Sequence, residues 1–287
     1  MKQGYSLARR HLPLIRLAAG LLVVLASGCA ALGNEARLEA GFREMYGLDF
    51  EASDRHFREY TEMNSSDPLG HAGQASCLLF MELHRLGILE AEFFVHEKEF
   101  LRQDASAPDP GRRSRLLEQT NTASSIAEKA LVKDPSDQRA LFALALVNGV
   151  LADYTALVER RYWASLKFGR AGDNWARKLL EVNPEFYDAY LWTGTTHYII
   201  GSLPMPARWL ARLAGVRGNK RRGYQELGLA AEKGKYLAPY AKVLLAIAYL
   251  REERPSEARA IVSELAKEFP TNSLFKAQAE RLAMHSR

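Results

Sequence analysis

Three stretches of this 287-residue chain share one spacing. "ASSIAEKALVKDP" places Ala123, Ala127, Ala130 and Pro135. "GDNWARKLLEVNP" places Gly172, Ala176, Leu179 and Pro184, and "ARAIVSELAKEFP" places Ala258, Val262, Leu265 and Pro270. Each runs from a small residue to an apolar one four on, another three on, and a proline five beyond that. Steps of four and three keep one face of an α-helix apolar. The small residue admits a neighbouring helix at close range, and the proline ends the helix and turns the chain into the next. One such unit cannot bury its apolar face alone, whereas stacked units can. The pattern calls for helix hairpins laid side by side.

The remaining sequence agrees with that expectation. Helical periodicity predicts helices over 34–46, 50–63, 69–86, 88–103, 113–133, 137–156, 158–182, 186–201, 205–214, 219–233, 236–251, 255–269 and 272–284. No stretch alternates as a strand does. "DASAPDPGRR" carries two prolines and a glycine without apolar period, so 104–112 reads as a loop between an N-terminal helical region, 29–103, and a longer one, 113–287. First helices of the hairpins fit too: Gly194 takes a small position in one, with Ala246 small and Tyr249 aromatic in another. Ser53, Phe57 and Tyr60 form a divergent second helix near the start. The closing prolines are unevenly spaced, so some helices are long and one segment, 203–222, is inserted. The predicted fold class is all-α: an irregular superhelix of antiparallel helix pairs, like tetratricopeptide repeats (TPR).

The first 28 residues read as a secretion leader. Lys2, Arg9, Arg10 and Arg16 precede the apolar run "LAAGLLVVLA" at 17–26. That run is half of the roughly 20 apolar residues a bilayer span needs. It ends in Ala26, Ser27 and Gly28 before Cys29, which fits a bacterial lipobox with its leucine one place early, at Leu25. Cys29 is the expected lipidated N-terminus, and the lipid would hold the chain to a membrane. Ala30 rather than aspartate follows it, which in a two-membrane envelope implies the outer membrane, facing the periplasm. The formal charge of +5 is then nearly all leader, because four cations lie in it. A charge-balanced remainder has no field for nucleic acid. Cys77, on an apolar helical face, reads as a buried thiol.

The span from about 186 to the C-terminus resembles a group of bacterial TPR lipoproteins. The resemblance rests on "YDAYLWTGTTHYIIGSLP", on "GVRGNKRRGYQELGLAAEKGKY" and on "AKVLLAIAYLREERPSEARAIVSELAKEFPTNSLF". The last 100 residues or so also resemble a eukaryotic TPR family linked to the mitochondrial outer membrane and to inclusion-body clearance. Both resemblances imply an all-α repeat scaffold and no particular chemistry. The order of lipobox and irregular repeats extends the resemblance to lipid-anchored TPR components of tripartite periplasmic solute transport systems, which handle small hydrophobic molecules.

No catalytic, metal-binding or cofactor-binding constellation is legible. "HEKEF" at 96–100 lacks the second histidine of a zinc-protease helix. "GVRGNKRRG" at 215–223 lacks the strand and the Lys-Ser/Thr end of a phosphate loop, so Gly218 reads as closing one helix and Asn219 as capping the next. The insert carries an apolar stripe, Trp209, Leu210, Leu213 and Val216, amid Arg208, Arg212, Arg217, Lys220, Arg221 and Arg222. A membrane-surface helix has this pattern; packing of the stripe on the preceding helix is the preferred expectation. In a helical-repeat scaffold the first helix of each pair lines a binding groove. That places Asp188, Leu191, Thr195, Tyr198 and Tyr240 in the groove, and the long helices add Asp153, Tyr154 and Arg161. The expected role is that of a membrane-anchored adaptor or assembly scaffold for an envelope protein or peptide, with transport-linked binding of small hydrophobic molecules as the alternative. Oligomeric state is not legible.

Overall fold

The structure, a computed structural model, describes residues 33–89, 107–213, 215 and 217–285. Cys29 and its leader, most of the helix predicted over 88–103, "HEKEF" and Val216 lie outside these residues. The described residues form α-helices and short helical turns, without a strand. We label the helices α1 (33–46), α2 (Phe50–Met63), α3 (Leu69–Arg85), α4 (Pro110–Lys133), α5 (Gln138–Asp153) and α6 (Tyr162–Val182). Then come α7 (Tyr190–Ser202), α8 (Met205–Leu213), α9 (Lys220–Lys233), α10 (Ala238–Arg251), α11 (Pro255–Glu268) and α12 (Ser273–His285).

The helices pack as antiparallel pairs, α1 with α2, where the Ser53 hydroxyl donates to the Gly41 carbonyl at 2.8 Å, α3 with α4, α5 with α6, α7 with α9, and α10 with α11, with α12 on the end. The spacing that predicts them is what their interfaces use. Ala123, Ala127, Ala176, Leu179, Ala258 and Leu265 are fully buried. A fourth copy lies in α9, where Gly223, Leu227 and Ala230 repeat the same steps and are buried. Its closing proline is absent. The turn is held instead by the Asp188 carboxylate, which accepts the backbone N–H groups of Lys235, Tyr236 and Leu237 at 2.9, 2.9 and 2.7 Å. A small residue is needed where two backbones meet: a Cβ on Gly223 would sit 2.5 Å from the Tyr198 nitrogen.

Asp49, Asp109, Asp137 and Asn219 cap α2, α4, α5 and α9, each accepting a backbone N–H of the first turn. The cap at Asp109 with Pro110 behind it starts α4 before the predicted loop ends at 112. Asn219 caps as expected. Gly218 closes no helix; α8 stops at Leu213, Gly215 takes the left-handed conformation (φ +80°), and Gly218 lies against the backbone of Gly201. The helices expected over 137–156 and 158–182 are parted by a wider break than their pattern suggests. After Asp153 the chain widens into a π-turn, Tyr154–Val158, and Arg160 takes a positive φ of 54° before α6 begins.

The superhelix does not end open. Helix α1 reaches both ends of the array. Glu35 pairs with Arg139 of α5 at 3.1 Å and with Lys235 at 2.5 Å, and accepts the Tyr236 hydroxyl. Phe42 packs edge-on to Phe57 of α2 and against Tyr236. At the far end of α1, Asn272 donates to the Tyr46 carbonyl at 2.8 Å and Thr271 to the Gly47 carbonyl at 3.1 Å. Helix α5 with its π-turn, Gln138–Val158, is long and apolar enough to cross a bilayer by composition. In the structure it is the central helix, packed on α3, α4 and α6, and Leu141 to Val147 are all buried. Cys77 is buried, and burial pushes its thiol up to about 12.

Candidate functional site

With α1 bridging the array, the concave face becomes a partly open chamber of about 1750 Å³. Its walls come from α3, α5, the π-turn, α6, α7, α10 and the end of α1. Leu79, Leu146, Val150, Leu157, Leu244 and Ile247 make much of the lining apolar. The volume exceeds the roughly 300–1,000 Å³ of ordinary small-molecule pockets.

On the chamber wall a polar pair joins α5 to α10. The Tyr240 hydroxyl donates to Asp153 Oδ2 at 2.9 Å. Both side chains keep some accessible surface, although they lie in the interior, and that surface faces the chamber. Burial raises the Asp153 carboxyl to about 6, opposed only by the Tyr240 hydrogen bond. No cation pairs with it among the described residues. Burial and the Asp153 charge together push the Tyr240 hydroxyl well above its ordinary range. Tyr46, also on the wall, has a buried hydroxyl with no hydrogen-bond partner among the described residues. The pair sits where the helix geometry breaks, since Asp153 is the last residue before the π-turn. Such turns concentrate at functional sites.

The rim has the opposite charge. Arg170, Arg177, Arg217 and Arg222 reach the chamber's edge. Arg177 pairs with Asp173 at 2.8 Å and Arg222 with Glu226 at 2.6 Å. His197 lies on the same wall with both ring nitrogens buried and unpartnered among the described residues; burial lowers its pKa.

Asp153, Leu191, Thr195, Tyr198 and Tyr240, named from sequence as groove residues, all line the chamber. Three others do not. Tyr154 is buried in a separate core cluster with Leu79, Leu116 and Val150. Arg161 points to the surface and pairs with Glu159 at 3.4 Å. Asp188 holds the turn after α9 and is structural. The sequence reading misses Tyr46, which comes from α1, because nothing in a repeat pattern says that the first helix closes the array. No group of His, Cys, Asp and Glu that could hold a metal ion occurs among the described residues.

The arrangement of paired helices, small interface residues and inner first helices decides the architecture. The fold is TPR-like. No protein-family model matches the chain, and no curated protein matches it. A solved structure with some similarity is a thermophilic TPR protein of Thermus thermophilus, at 15% identity and a TM-score of 0.45, over 88% of this chain and 99% of that one.

Proposed function

We propose that this TPR-like scaffold binds an elongated, mostly apolar molecule in its chamber, with a hydrogen-bond-donating end, an amine or a hydroxyl, seated on Asp153. The observation that carries this reading is the Asp153–Tyr240 pair, a buried acid with one neutral partner facing an apolar space. A buried carboxylate without a cation is costly, and a ligand ammonium or hydroxyl would relieve it. An extended peptide is the poorer cargo. The surrounding helices spend their own N–H and C=O groups internally, so a peptide backbone in the chamber would lack partners.

The protein acts by binding, not by bond-making, and Cys29 carries the lipid that keeps it at the outer membrane of the cell envelope, facing the periplasm. This suits handling of small hydrophobic molecules in transport. A protein-binding adaptor is the second reading. Tyr162, Trp163 and Leu166 favour it, because they stand exposed at the start of α6 beside the chamber, where a partner could pack.

Calorimetric titration of the full chain with decylamine, decanol and decanoate, each kept below self-association, tests the proposal. The amine and the alcohol are expected to bind and the acid to bind more weakly. Asp153→Asn should lower amine affinity about ten-fold or more, the scale of a charged hydrogen bond. Absence of binding by all three, or an Asp153→Asn affinity equal to the parent's, contradicts it.

A further inference from the structure

Helix α8 turns three large apolar side chains outward. A helix on a globular protein turns its large apolar side chains inward. Here Met205, Trp209 and Leu213, spaced four apart on one face, are 69%, 60% and 67% exposed. The small Ala207, on the opposite side, is half-buried. The expectation that the Trp209, Leu210, Leu213 and Val216 stripe packs on the preceding helix is corrected at Trp209 and Leu213, which face solvent; the Leu210 side chain and Val216 lie outside the described residues. The short helix is held to α7 at its start, where Arg208 reaches the Gly201 carbonyl at 3.4 Å.

The charge around the stripe is one-sided. No acid occurs between Asp188 and Glu226, while Arg208, Arg212, Arg217, Lys220, Arg221 and Arg222 do. Lys220 and Arg222 are neutralised by Glu252 and Glu226. Arg212, Arg217 and Arg221 have no acidic partner among the described residues. On an ideal helix Arg208 and Arg212 fall beside the Met205–Leu213 stripe on one flank. An apolar stripe with a tryptophan, bordered by arginines, matches the boundary between headgroups and acyl chains.

We infer that α8 docks on an anionic lipid surface, inserting Met205, Trp209 and Leu213 between headgroups while Arg212, Arg217 and Arg221 face lipid phosphates. The occupant is a membrane rather than a protein groove because free cations border the stripe on a segment without acids, which complements a surface uniformly negative. The docked segment adjoins the chamber, since Ile199, Gly215 and Arg217 line its edge. A chamber mouth is thereby turned to the bilayer, from which an apolar cargo can enter without crossing water. The docking itself depends neither on the cargo nor on lipid at Cys29.

Hydrogen exchange of the full chain, read on peptides from 203–213, tests this with vesicles of phosphatidylcholine alone or mixed with phosphatidylglycerol. Protection over 203–213 is expected on the anionic vesicles, and slower exchange there should vanish in Trp209→Ser/Leu213→Ser and fall in Arg212→Glu/Arg221→Glu. These side chains are exposed, so exchange in α5 and α10 should stay unchanged and report an intact fold. Local readout separates docking from any binding through the leader. The inference is overturned if vesicle-bound protein shows no protection over 203–213, if the double serine variant is protected equally, if protein fails to bind anionic vesicles, or if protection needs an added protein in place of lipid.

Discussion

At the scale of single residues, chemistry and stability pull apart. Asp153 is a group whose folded pKa, about 6, lies above the carboxylate's ordinary value. The folded state therefore holds a proton that the unfolded chain has released, and stability falls as pH rises from about 4 through 6. Asp153→Asn removes that penalty. It should stabilise the protein by about 3 kcal/mol at pH 8 and by nearly nothing at pH 4, measured by urea denaturation at both. A residue that costs stability and lines a cavity is a candidate for function. Glycines give a second contrast. Gly223→Ala should destabilise by about 1–3 kcal/mol, because its Cβ meets the Tyr198 backbone. Gly228→Ala, in the same helix with nothing within 4 Å, should stabilise by up to about 1 kcal/mol. Sequence marks both as glycines in one helix. Only the packing of α7 tells them apart.

At the scale of elements, the repeat spacing made most of the helix pairs legible, because proline and small residues leave marks that survive without context. Helix α9 escaped as a repeat copy, since its proline is replaced by an interaction with Asp188, some 47 residues earlier. Asp188→Ala should therefore cost about 3 kcal/mol, leaving the buried N–H groups of Tyr236 and Leu237 unpaired, and chemical denaturation would show it. The joint between α3 and α4 depends on charge. Glu82, fully buried, pairs with Arg85 at 2.7 Å and with Arg112, and accepts the Asp109 N–H. Burial would raise its pKa, but these partners prevail and hold it near 2. The stability it contributes is present above its unfolded pKa and is lost as pH falls toward 2. Glu82→Gln should flatten the acid limb of a stability–pH profile between about pH 5 and 2 while lowering stability at pH 7. Amphipathy of α8 was legible from its pattern. Which face turned outward was not, because periodicity is blind to orientation.

At the scale of the whole molecule, closure is the feature that repeats alone do not predict. A repeat array is quasi-one-dimensional and can unfold from its ends. Here Glu35 joins α1 to Lys235 across 200 residues of sequence, and Tyr46 to Asn272 across 226. The account predicts a single cooperative unfolding transition, coincident by far-ultraviolet circular dichroism and tryptophan emission. Glu35→Leu should broaden or split it, because it removes the carboxylate shared by Arg139, Lys235 and Tyr236. The groove residues named from helical faces could be listed from sequence. That Asp153 and Tyr240 meet, 87 residues apart, on the wall of one chamber could not, because it follows from how the superhelix curves before α1 bridges it.

The claim that cargo places a donor group on Asp153 is tested most directly by following the carboxyl carbon of Asp153 by NMR through a pH titration, with and without decylamine. The account predicts a midpoint near 6 for the free protein, moved clearly lower when the ammonium sits beside the carboxylate. A midpoint unchanged by saturating amine would contradict it.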